Sequence, residues 1–139
     1  MNIYVVDASV AAKWFFDEIY ADVSRQILQP DNRLYAPDFF LLEMDSIFCK
    51  RIRRGELSAA DAEDARILLS QLPVEYHAFN LLQNRAYDIA NQTQRSIYDC
   101  LYLALAVVLN SRMVTADYKF FVSLSNGMFS PYVEWVENV

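Results

Sequence analysis

Four acids in this chain stand at the ends of apolar runs, where a carboxylate is least expected. Asp7 closes the run Asn2 to Val6 (NIYVV), and Asp117 follows Met113-Val114-Thr115 with one residue between. Asp99 opens Cys100 to Leu109, a stretch with no polar side. Glu43 lies three residues after Phe40 and four before Ile47, on the apolar stripe of a helical pattern. Charges beside a core are costly unless something compensates them. For several converging carboxylates the simplest compensation is a divalent cation, and oxygen donors suit Mg2+ or Mn2+. The chemistry such an ion offers is hydrolysis by an activated water.

Each acid also has a purely structural role open to it. Ser96 and Asp99 fit a capping box at a helix start. Asp7 and Asp117 each precede a helical pattern and fit N-caps. Glu43 would then pair with a buried cation, since buried acids are usually paired. Four separate explanations are acceptable one by one, whereas one shared site explains all four.

The elements around these acids imply the geometry. Asn2 to Val6 lacks the alternation of a half-exposed strand and reads as buried on both faces of a parallel sheet. Ala8 to Phe16 has helical spacing, and Ile19 to Leu28 is amphipathic. Leu34 to Ala36 is a short strand, followed by a long helix from Phe39 to Arg54. Ser58 opens a helix to Leu72, Val74 to Tyr76 is a third strand, and Leu81 to Gln92 is another helix. The apolar helix behind Asp99 belongs in the centre of a domain. Met113 to Thr115 is a buried strand, Asp117 to about Leu124 a helix, and Tyr132 to Val136 alternates like an edge strand. Repeated βα units imply a parallel sheet flanked by helices. Asp7 and Asp117 then share the carboxyl edge, where open α/β sheets bind ligands.

Composition bounds the rest. The 139 residues suit one domain, 1–139, and at 55% hydrophobic and 22% charged the chain is not disordered. Two glycines leave no room for a Gly-rich phosphate loop, and the lone His77 argues against a His/Cys zinc site. Cys49 and Cys100 form no CxxC and read as buried free thiols in a reducing compartment. No basic n-region is followed by an apolar h-region, so no signal peptide is expected, and the apolar helix is about ten residues where a bilayer needs roughly 20. A cytoplasmic protein without membrane attachment is expected. The net charge of −6 argues against a general nucleic-acid coat and leaves room for a local basic patch.

The acid-bearing segments resemble the PIN-domain family, and within it the VapC-type toxins of prokaryotic toxin–antitoxin pairs. VVDASV with Asp7 is similar to that family's opening strand and first acid, and APDFFLLEMDSIFCKRIRRGELS with Glu43 to its second motif. YDCLYLALA with Asp99 resembles the third motif and VTADYKF with Asp117 the fourth. The four stand in order, over nearly the whole chain. Ser46 stands where the family often has Asn three residues after the second acid, and it reaches the Glu43 carboxylate less far. The resemblance implies a PIN-like three-layer α/β/α fold and a metal-dependent endoribonuclease. It further implies a homodimer silenced by an antitoxin encoded beside it.

On this reading Asp7 and Asp99 are the preferred direct ligands of Mg2+ or Mn2+. Glu43 and Asp117 bind through water or hold a second ion, with Ser9, Ser46 and Thr115 in support. Water would attack an RNA phosphodiester in line. Lys13, Lys50, Arg51, Arg53, Arg54 and Lys119 are the cations that would meet RNA, although those near Gly55 also suit a helix C-terminus. Trp14, Phe15, Phe16, Phe39 and Phe40 are expected at an exposed surface for self-association and for an antitoxin helix. That partner would place an arginine among the acids. The rivals are a catalytically weakened PIN-like interaction module with a structural acid cluster, and an α/β phosphatase. The phosphatase would want D-x-D, and Asp7-Ala8-Ser9 lacks the second acid.

Overall fold

The computed structural model describes residues 2–139. Five strands form one parallel sheet in the order β3-β2-β1-β4-β5. They are β1 (Asn2–Val6), β2 (Asn32–Pro37), β3 (Val74–His77), β4 (Arg112–Thr115) and β5 (Val133–Trp135). Seven helices flank them: α1 (Ala8–Ala12), α2 (Ala21–Gln26), α3 (Phe39–Arg53), α4 (Ala59–Gln71), α5 (Phe79–Thr93), α6 (Ile97–Val108) and α7 (Tyr118–Leu124). The connections β1–β2 and β2–β3 run one way across the sheet, and β3–β4 and β4–β5 run the other. Right-handed crossovers therefore put the first two sets of helices on one face and the last two on the other. The packing of α1 on α3 and of α5 on α6 agrees with this three-layer arrangement.

The centre is α6, whose residues Cys100 to Ala106 are all buried, as an all-apolar helix requires. It packs on β1, β2 and β4. Several boundaries differ from the sequence reading. Helix α1 stops at Ala12 rather than Phe16, and the chain tightens into turns in which Trp14 N–H donates to the Ala11 carbonyl. The Trp14 ring is buried and its indole N–H reaches the Ser24 carbonyl at 2.9 Å, so ring packing overrides helix continuation. Helix α2 is shorter than Ile19 to Leu28, because Tyr20 adopts φ 67° and sets its ring edge-on to Trp135. Strand β1 is buried only at Val5 and Val6. Its first residues, Asn2 and Ile3, pair with β2 alone, because β4 joins the ladder only from Tyr4 onward.

Two expectations about side chains are overturned. Cys49 is exposed, since it sits one residue past Phe48 and so off the buried stripe of α3; Cys100 is buried as expected. Trp14 and Phe40 are core residues, while Phe15 and Phe16 pack edge-on against Phe48. The expected exposed aromatic surface is therefore absent there. The large apolar side chains that do reach solvent include Leu42, Phe79, Leu81 and Tyr98. No helix among the described residues is long and apolar enough to cross a membrane.

Candidate active site

The crossover direction reverses between β1 and β4, so the crevice at their carboxyl ends is a topological switch point. Asp7 leaves β1 at this place, and its backbone N–H donates to the Val114 carbonyl of β4 at 3.5 Å. Asp7 is buried, at 7% exposure. Its Oδ1 accepts from Ser9 Oγ at 2.6 Å and from the Val10 N–H at 3.0 Å, so it does cap α1. Burial nevertheless pushes its pKa from 3.8 up to about 6, the bonds from Ser9, Thr115 and Val10 oppose that rise, and the Asp99 charge adds to it.

Ser9 ties the neighbouring strand to this acid. Its Oγ accepts from the Ala116 N–H at 3.0 Å and lies 3.5 Å from Thr115 Oγ1. Buried Thr115 accepts in turn from the Asp117 N–H at 3.1 Å. Asp117 caps α7 through a bond from the Phe120 N–H at 3.1 Å and is exposed. The expected supporting hydroxyls, Ser9 and Thr115, thus link the two acids that follow β1 and β4.

Asp99 lies in the first turn of α6, with its N–H on Ser96 Oγ at 3.2 Å. Its carboxyl is half-buried and shifted upward, by desolvation first and then by the Asp117 charge. Glu43 is half-buried on α3. Desolvation raises its pKa most, the Tyr102 hydroxyl bond lowers it, Asp99 raises it and Lys50 lowers it. The partner expected for Glu43, a buried cation, is therefore a phenol: Tyr102 O–H donates to Glu43 Oε1. Sequence reasoning passed over Tyr102. The signal was there, because a tyrosine in an otherwise apolar helix needs a partner for its hydroxyl.

Asp99 is thus within electrostatic reach of Asp7, Glu43 and Asp117, and none of the four forms an ion pair among the described residues. They do not converge into a ready ligand set: among the described residues no three acid, histidine or cysteine side chains stand close enough to hold a metal ion. The expectation of a closed carboxylate cluster is corrected to that extent. Carboxylates repel one another, and Asp7, Glu43 and Asp117 each spend an oxygen on a local donor. The donor chemistry still fits a divalent cation, since all four offer hard oxygens and none is neutralised by an ion pair among the described residues, although Lys50 and Arg95 act at longer range on Glu43 and Asp99. Ser46 is exposed and lines a cavity of about 540 Å³ with Glu43, Asp99 and Lys50, without bonding to Glu43.

The cations divide into two kinds. Lys13 and Arg51 both bind Glu18, at 3.4 and 2.9 Å, and Arg51 also lies 3.8 Å over the Phe16 ring. Their charge is largely spent inside the fold. Lys50, Arg53, Arg54 and Lys119 form no ion pair among the described residues. Lys50 and Arg54 line a groove that reaches Ser9 and Ala116 beside the acids.

The family model described as PIN domain matches residues 4–123, which contain all four acids. This chain belongs to the PIN domain family. Among PIN domain relatives, Ribonuclease VapC9 of Mycobacterium tuberculosis is 34% identical over 113 residues, covering 81% of this chain and 84% of the relative. The fold is shared with PAE2754 from Pyrobaculum aerophilum at TM-score 0.71 and 20% identity, over 99% of this chain and 85% of that one. A toxin-antitoxin complex from Klebsiella pneumoniae contains a chain matched at TM-score 0.62 and 13% identity, over 94% of this chain and 99% of that one. The PIN domain frame accounts for the three-layer sheet.

Proposed function

We propose that this chain is a metal-dependent endoribonuclease and the toxin of a toxin–antitoxin pair. The observation that carries the reading is a buried acid at the switch point, Asp7, coupled to Asp99 and lacking any counter-charge. Kinship to a protein named as a VapC ribonuclease supports the choice of RNA. Asp7 and Asp99 would hold Mg2+ or Mn2+ directly, with Glu43 and Asp117 acting through water or a second ion. Such an ion, when bound, supplies a water of lowered pKa and offsets charge on the phosphate in the transition state. The chain's own residues hold the acids in place. Ser9 and the Val10 N–H orient Asp7, Tyr102 orients Glu43, and the Ser9–Thr115 link fixes β4 beside β1. An antitoxin would close the site by placing a basic side chain among the acids. We further assign the chain to the cytoplasm, as a homodimer.

The deciding experiment uses single-stranded RNA with Mg2+ or Mn2+ and a small phosphomonoester as control. Wild type should cut the RNA alone, and Asp7→Asn and Asp99→Asn should each abolish cutting while circular dichroism stays native. Full ribonuclease activity in folded Asp99→Asn would sink the assignment. A second reading, an interaction module with weakened catalysis, is favoured by the incomplete convergence of the acids. Wild-type protein that binds its antitoxin and cuts nothing would select it.

A further inference from the structure

The face of α3 carries three chemically different groups in a row. Phe39 stands at its start, Glu43 one turn on, and Lys50 two turns beyond Glu43. Eleven residues separate Phe39 from Lys50, about 16 Å along a helix. Phe39 supports a second ring: Tyr98 of α6 lies stacked on it, centroids 5.3 Å apart and planes 16° apart. Phe79 also packs edge-on against Phe39, at 6.5 Å. Tyr98 is 57% exposed although one face of its ring is covered, and it is the immediate neighbour of Asp99. Tyr98, Glu43, Asp99 and Lys50 line one cavity. Lys50 also lines the adjoining groove, which continues to Arg54 and Ser9. The order along this surface is therefore an aromatic platform, the carboxylates, then unpaired cations.

A rigid exposed ring beside a cation-lined groove is what single-stranded nucleic acid requires: a base stacks on the ring while the backbone follows the positive charge. Phe39 and Tyr98 also line a second, apolar cavity with Leu42, Phe79, Ile97 and Leu101, but an apolar protein partner would not explain why the platform also shares a cavity with Lys50 and two acids. We propose that Tyr98, backed by Phe39, stacks one unpaired nucleobase of single-stranded RNA on one side of the carboxylates, while Lys50 holds a backbone phosphate on the other. The assignment rests on the ribonuclease reading for its substrate. It adds a requirement that reading lacks, namely an unstacked base at a fixed distance from the cut.

The test uses fluorescence of single-stranded RNA decamers in which 2-aminopurine, quenched when it stacks, is walked through each position. Binding is measured by anisotropy in EDTA, where no cutting occurs. Wild type should quench the probe at one position. Tyr98→Ala should lose the quench and bind about tenfold more weakly, as base–aromatic stacking predicts. Tyr98→Phe should keep both. An abasic nucleotide at the quenched position should weaken wild type by the same factor and leave Tyr98→Ala unchanged. Lys50→Ala should weaken binding while keeping the quench. Unchanged quench and affinity in folded Tyr98→Ala overturns the assignment. So does Tyr98→Ala that loses only self-association, which would make the platform a protein contact. Cutting by wild type that Tyr98→Ala matches in KM and kcat would refute the platform and leave the ribonuclease standing. Quenching without cutting in Mg2+ would do the reverse.

Discussion

Asp7 concentrates the conflict between folding and chemistry. Its carboxyl titrates near 6 when folded and near 3.8 when exposed, because burial outweighs the bonds from Ser9, Thr115 and Val10. Between these values the folded state holds the extra proton. The stability this group contributes is therefore present below about pH 3.8 and lost as pH rises through 6. Asp7→Asn keeps the acceptor oxygen and removes the charge. In EDTA its stability advantage over wild type should grow from near zero at pH 4 to about 3 kcal/mol above pH 7, by linkage. Urea unfolding at several pH values checks this, and parallel curves for the two proteins would refute it. Mn2+ should raise the melting temperature of wild type and not of Asp7→Asn, since a cation stabilises the ionised form only. Tyr102 presents the complementary case. Tyr102→Phe removes the donor to Glu43 and should cost about 1–2 kcal/mol, the upper range being reduced because Glu43 is half-exposed. Its activity should fall through kcat rather than KM if Tyr102 orients Glu43.

Helix starts do two jobs in this fold. Asp7, Asp117 and Ser96 all cap helices; Asp7 and Asp117 lie at the carboxyl edge because a parallel sheet sends the chain from strand end into helix start, whereas Ser96 caps α6, which follows α5 rather than a strand. Capping and chemistry are thus compatible roles for the same residue. Ser58 caps α4 in the same way, its Oγ taking the Asp61 N–H at 3.0 Å, but on an element that carries none of the four acids. Ser96→Ala and Ser58→Ala should each lower stability by about 1 kcal/mol. Only Ser96→Ala should also lower RNA cleavage, because it frees the turn that holds Asp99. Equal activity in the two variants, measured with matched folded fractions, would separate the Ser96 cap from the site.

The whole chain is acidic, at −6, so RNA has to be met by a local surface. Lys13 and Arg51 are held by Glu18, which leaves Lys50 and Arg54 as the groove cations with free charge. Replacing Lys50 and Arg54 by Ala should reduce the slope of log affinity against log salt by about 0.7 for every phosphate that is no longer neutralised. Lys13→Ala should disturb folding more than binding. An unchanged slope in the double variant would place the RNA elsewhere.

The order and kind of elements were legible because hydrophobic period and burial are local properties of the chain. The all-apolar run after Asp99 had to become a central helix, and the short apolar runs had to become strands of a parallel sheet. Placement of Asp7 and Asp117 at one edge followed from that topology. Side-chain fate was not local. Trp14 and Phe40 went to the core and Cys49 to solvent, because the facing of a residue depends on what packs over its helix. The Tyr102–Glu43 bond joins residues 59 apart, and the Phe39–Tyr98 stack joins α3 to α6. Such pairs exist only once two helices from opposite layers start at the same edge. Sequence alone determined which residues carry charge at strand ends and helix starts. Tertiary structure decided which of those charges are buried, which are neutralised and which stand open, because burial and distance set the energy of a charge.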